Sequence, residues 1–179
     1  MKQIRKNVFE TNSSSVHSLA VPNKLSKKKT LRKALHWRDE INLKNFGWEI
    51  EIADNFDYLY TFLIKYAGYE KDKEVKKYTK YLNIFKEICI HAKRDIEFET
   101  LEQYRMLNDD DFGPYIDHSE ELVPFVDWLF EDTQNLVNFL VDGHILTGTD
   151  NCGDDEAYLR DCFEKRYKKK KYKVYRKGN

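Results

Sequence analysis

The chain has 179 residues, 41% of them apolar and 15% aromatic, with seven Gly and three Pro, which is the composition of a folded domain with a core and excludes a disordered segment. No apolar run approaches the ~20 residues of a membrane span, the start lacks the apolar stretch of a secretory signal, and three scattered cysteines (Cys89, Cys152, Cys162) argue against a disulfide framework or a zinc knuckle. The formal charge is zero, but it is sorted: residues 1–93 carry 19 Lys/Arg against 11 Asp/Glu, residues 94–164 carry 3 against 20, and residues 165–179 carry 9 against none.

These properties predict one α+β domain over 1–179 in the cytoplasm, with a mostly antiparallel sheet of about five strands and four to six helices. The basic segment 165–179 is expected as a final strand plus tail.

Ile4 to Glu10 and Val16 to Val21 read as a hairpin closed by the Thr-Asn-Ser-Ser cluster, whose short polar side chains favour turns. Strand alternation puts His17, Leu19 and Val21 on one face, so His17 is expected to point towards the core. Residues 24–38 read as a basic helix with Leu25, Leu31, Ala34 and Leu35 on its apolar side. Trp48, Ile50 and Ile52 alternate with Glu49 and Glu51, the period of a half-buried strand. Asn55 is the expected cap of a helix that turns Phe56, Leu59, Tyr60, Leu63 and Tyr66 inward and ends at Gly68. From Asp72 onward, Val75, Tyr78, Leu82, Phe85 and Cys89 fall on one narrow helical seam.

Ile96, Phe98 and Thr100 suggest another strand, and Asn108 to Gly113 an acidic loop. After Ser119, Leu122, Phe125, Val126, Leu129 and Phe130 form a helical face. Asp132 caps a further helix that Gly143 ends. His144 to Thr147 is a short expected strand before a turn at Gly148–Asn151. Asp154 to Phe163 is a helix with Tyr158, Leu159, Cys162 and Phe163 inward, and Tyr172 and Val174 mark the last strand.

Three polar clusters carry the candidate chemistry: Glu10–Ser18, Asp117-His118-Ser119 and Thr147–Asn151. Thr11, Asn12, Ser13, Ser14 and Ser15 offer hydroxyls, an amide and turn N–H groups that suit an anion such as phosphate, or that satisfy one another. His17 or His118 would serve as a base, Glu10, Asp117 or Asp150 would orient it, and a serine would be the nucleophile, although no G-x-S-x-G elbow is present. Each histidine taken alone reads first as a satisfied core residue. His17, Asp117, His118 and Asp150 are also the donor types of a zinc or manganese site, so a divalent metal is a possible cofactor. The tail Lys165 to Lys177, with 9 cations in 13 residues and interleaved tyrosines, suits nucleic acid or pairs with the acidic middle. Asp109–Asp111 and Asp154–Glu156 form an acidic face that would dock on a basic protein surface.

The Phe9-Glu10-Thr11-Asn12-Ser13-Ser14-Ser15-Val16-His17-Ser18 stretch resembles the opening of an uncharacterised protein family of phages, plasmids and prophages of Gram-positive bacteria. Ile116-Asp117-His118-Ser119, Thr147-Gly148-Thr149-Asp150-Asn151 and Lys173-Val174-Tyr175-Arg176 are similar to that family's later segments. Arg176 stands where the family has a histidine. The resemblance implies a mobile-element accessory protein in a bacterial host and one shared site for the three clusters; it supplies no reaction. Two functions follow as expectations. One is a polar pocket that binds a nucleotide or a nucleic-acid phosphate. The other is a non-enzymatic, anti-CRISPR-like anti-defence inhibitor that holds a host protein through its acidic face.

Overall fold

A computed structural model describes residues 15–47, 50–68, 75–108, 113–149 and 154–177. The expected strand at Ile4–Glu10, the turn residues Thr11–Ser14, the helix opening at Asp72, the acidic run Asp109–Asp111 and the Asp150-Asn151 turn lie outside the described residues.

The main sheet is built from β1 (Ser15–Pro22), β3 (Glu51–Ala53), β5 (His144–Thr149) and β6 (Tyr172–Lys177). Its order is β3-β5-β1-β6 and every pair is antiparallel. In the described sheet β1 therefore lies between β5 and β6. A small parallel pair joins β2 (Glu40–Ile41) to β4 (Glu97–Phe98). The helices are α1 (Leu31–Ala34), α2 (Asn55–Gly68), α3 (Val75–Ala92), α4 (Leu101–Asn108), α5 (Val123–Glu131), α6 (Thr133–Asp142) and α7 (Asp154–Lys169), with a 3-10 turn at Ser119–Leu122. This is the expected α+β class.

Both faces of the sheet are covered at β1. On one, Leu19, Val21, Ala53 and Ile145 join the main core with α2, α3, α5 and α6. On the other, α7 lies across β1, β5 and β6, and Tyr167 stacks on His144 at 4.4 Å. That explains why β1 is buried at every described position from His17 to Pro22 rather than at alternate ones. Helix α2 is the spine of the core. From Phe56 to Leu63 every residue is buried, Asp57 and Thr61 included. The buried Asp57 carboxylate is neutralised by Arg38 Nη1 at 2.5 Å and Lys44 Nζ at 2.9 Å, and it also accepts the N–H of Asn42.

Several local expectations change. The basic segment 24–38 forms only the one-turn α1, although Leu35 is fully buried as its apolar pattern requires. The cap of α2 is Asp54, whose Oδ1 accepts the N–H groups of Phe56 and Asp57 at 2.9 and 3.1 Å. Asn55 instead ties α2 to the end of α6, donating to the carbonyls of Phe139 and Gly143. The strand phase at residues 50–53 is inverted: Ile52 is 79% exposed and Ala53 is buried. Thr100 is exposed while Glu99 is buried, its Oε2 accepting the N–H of Leu43 at 2.7 Å. Helix α4 occupies residues 101–108, where no element was expected. Gly148 and Thr149 extend β5 rather than opening a turn. In α7, Tyr158, Leu159 and Cys162 face outward, and among its described side chains Arg160 and Tyr167 are buried.

Candidate functional site

His17 is 1% exposed and makes two hydrogen bonds through its ring. Its Nε2 lies 2.9 Å from the carbonyl oxygen of Asp117, which can only accept, so Nε2 carries the proton. Its Nδ1 is then the acceptor for the Tyr58 hydroxyl, at 2.8 Å. Burial lowers the His17 pKa, and the hydrogen bond to Asp117 and the Asp117 charge only partly oppose it. Burial, reinforced by the Glu51 charge, pushes the Tyr58 hydroxyl well above its ordinary value. His17 is therefore a neutral bridge between β1, α2 and the loop at 117, with both nitrogens committed to protein.

That bridge brings two of the three polar clusters into contact. Strand register adds the third, because His17 faces Thr147, Val16 faces Gly148 and Ser15 faces Thr149 across the β1–β5 pair. Thr147 Oγ1 in turn donates to Glu51 Oε1 at 3.5 Å, on the same face of the sheet. Phe46 fixes the loop from below: its N–H donates to Tyr115 and its carbonyl accepts from Asp117 N–H, both at 3.0 Å.

The loop then turns sharply. His118 has φ 50 and ψ 34, a left-handed conformation uncommon for a residue with a side chain. The turn leaves its imidazole 35% exposed, with Nδ1 3.8 Å from Glu120 Oε1. Ser119 follows, fully buried. Its Oγ accepts from Lys65 Nζ at 2.5 Å and lies 3.4 Å from the Tyr66 hydroxyl. The corner thus collects an accessible imidazole, an ammonium group, a buried hydroxyl and the bridging histidine.

Of the residues expected in the site, His17, Asp117 and His118 come together, and the backbone of Ser15 lies opposite Thr149. Glu10, Thr11, Asn12, Ser13, Ser14 and Asp150 lie outside the described residues. With both ring nitrogens engaged, His17 is neither a free base nor a metal ligand in this arrangement. Among the described residues no group of three His, Cys, Asp or Glu is placed to hold a metal ion. Sequence reasoning missed Tyr58, Lys65 and Glu51. The signal for the first two is their seven-residue spacing on α2, a stripe beside the apolar one. Glu51 was hidden by the inverted strand phase.

No family model, curated protein or solved structure matches the chain. No helix among the described residues is long and apolar enough to cross a membrane.

Proposed function

We propose that the corner formed by β1, the 117–119 loop and α2 binds a phosphate-bearing ligand, a nucleotide or a nucleic-acid phosphate. The observation that supports this most is the His17 Nε2–Asp117 carbonyl hydrogen bond at 2.9 Å, which with the β1–β5 register draws three polar segments from distant parts of the sequence to one place. Lys65 supplies a point charge and His118 an accessible proton-transfer group, a pairing that suits phosphate oxygens. His17 is a positioning residue in this reading, because a ligand would have to displace Tyr58 or Asp117 to reach its nitrogens. The family resemblance suggests the setting, an accessory protein of a mobile element.

Calorimetric titration of the full chain with nucleoside mono- and triphosphates, with and without divalent metal, tests the proposal. Charge-assisted hydrogen bonds of this kind contribute about 1.5–3 kcal/mol, so His118→Ala and Lys65→Met should each weaken binding by roughly tenfold or more while the protein stays folded. Absence of binding by the unaltered protein, or undiminished binding by both variants, would remove the corner as the ligand site.

A further inference from the structure

A second concave surface lies between α1 and the C-terminal end of α3, built from residues that take no part in the His17–His118 corner. It is a cavity of about 600 Å³ lined by Arg32, His36, His91, Ala92, Lys93, Arg94 and Asp95. Asp95 is the one carboxylate in that lining. Lys93 is already committed, its Nζ donating to the Arg38 carbonyl at 2.5 Å and to Asp39 at 2.9 Å. Arg32 and Arg94 form no ion pair among the described residues. His91 and Arg94 also line an adjoining hollow with Glu87 and Ile90, so Arg94 stands at the boundary of two concave surfaces.

Beside it stands Trp37, 90% exposed, its indole edge-on to His36 with ring centroids 4.5 Å apart. A tryptophan that exposed gains little from the fold. Lys24, Lys27 and Lys28 are exposed on the preceding segment and add further positive charge.

These two features have complementary partners in one polymer. Guanidinium groups form paired hydrogen bonds with phosphate oxygens, and an indole face stacks on a nucleobase. In a duplex the base faces are covered by their neighbours, so the indole finds a partner only on an unpaired strand. We propose that this cavity binds single-stranded nucleic acid, with phosphates held by Arg32 and Arg94 and a base stacked on Trp37. The proposal does not rest on the nucleotide reading of the His118 corner.

The test is fluorescence anisotropy of the full chain with a dye-labelled oligothymidine of about 15 nucleotides at ~50 mM salt. Binding is expected, with quenching of the exposed tryptophan emission and a marked weakening on raising the salt to ~200 mM. Arg32→Glu with Arg94→Glu should weaken binding by about tenfold or more, and Trp37→Ala should weaken it about tenfold and abolish most of the quenching. Melting temperatures of the variants, changed little because all three side chains are exposed, confirm that folding is intact. The proposal fails if the unaltered protein does not bind at ~50 mM salt, if the cavity variants bind undiminished, or if a duplex binds as tightly as the single strand. Loss of binding in His118→Ala with the cavity variants unaffected would likewise overturn it and move the strand to the other corner.

Discussion

His17 shows how a residue with catalytic chemistry can be used to hold a structure together. Its ring donates to a carbonyl and accepts from a phenol in a buried place, and that arrangement requires the neutral form. Protonation would put a donor on Nδ1, facing the Tyr58 hydroxyl, and a charge where burial disfavours it. The sign of the pH effect follows. The unfolded chain takes up a proton on this residue near 6.5, whereas the folded protein resists until lower pH. Stability from His17 is therefore complete above that value and is lost as pH falls through the window between 6.5 and the lowered folded value. His144, also lowered by burial beneath Tyr167, acts in the same direction. Urea midpoints should drop between about pH 7.5 and about pH 5.5, and the drop should shrink in His17→Gln; equal slopes would show that His17 is not the group responsible. His17→Ala removes a buried ring and leaves the Tyr58 hydroxyl and the Asp117 carbonyl without their partner. It should cost about 3 kcal/mol in the same assay.

At the level of elements, helix ends and helix phase are where sequence and structure part company. Asp54 and Asn55 are both competent caps, and local pattern does not choose between them. The choice is made by α6, whose terminal carbonyls at Phe139 and Gly143 need donors and take the Asn55 amide. Gly143 completes the same junction. Its N–H donates to the Phe139 carbonyl at 2.8 Å, and a methyl group on its Cα would lie 2.3 Å from that oxygen. Gly143→Ala should thus destabilise the protein by about 1–3 kcal/mol through crowding, although its φ of −70 suits any residue. A thermal midpoint equal to that of the unaltered protein would show that the α6–β5 junction adjusts freely. In α7 the apolar Tyr158, Leu159 and Cys162 face outward, and of the expected inward residues Phe163 packs on Tyr167. The observed face turns on Tyr167, which packs against His144, Tyr172 and Phe163. That contact depends on β6, a partner that follows in sequence and whose position is not written in the helix.

For the whole molecule, the sorted charge is only partly resolved by folding. Lys29 from the basic N-terminal part pairs with Asp142, which also accepts from the Tyr172 hydroxyl at 2.8 Å, and Lys77 pairs with Asp127 at 2.7 Å. Lys165 and Lys168 find their acids locally, one helical turn away at Asp161 and Glu164. Lys173 sits 3.7 Å over the Trp128 ring. The basic tail is therefore the last turn of α7 followed by an integral strand, and not a free arm. It pairs with β1 along His17 to Pro22, and Tyr175 packs against Phe125 in the core. Ending the chain before Tyr172 would strip one edge of β1, remove Tyr175 and leave α7 without its strand. The truncated protein should lose its near-ultraviolet circular dichroism and its cooperative urea transition; a native-like transition would show that β6 is dispensable.

The α+β class, the inward-facing stripe of α2, the seam of α3, the Asp132 cap and the strand character of the tail were legible from residue order. Each follows from a period of two or 3.6 and from local capping chemistry, which act between near neighbours along the chain. The same local reasoning turned His17 inward and marked three polar clusters. What only the tertiary structure decided is what those clusters meet. The register that sets His17 opposite Thr147, the Asp117 carbonyl that accepts the imidazole N–H, and Lys65 on the Ser119 hydroxyl join residues 54 to 130 positions apart. Periodicity fixes which face a side chain occupies, but the packing of whole elements fixes what stands across from it. That is why residue order could turn His17 inward, while only the fold decided that its ring would tie β1 to α2 and the 117 loop.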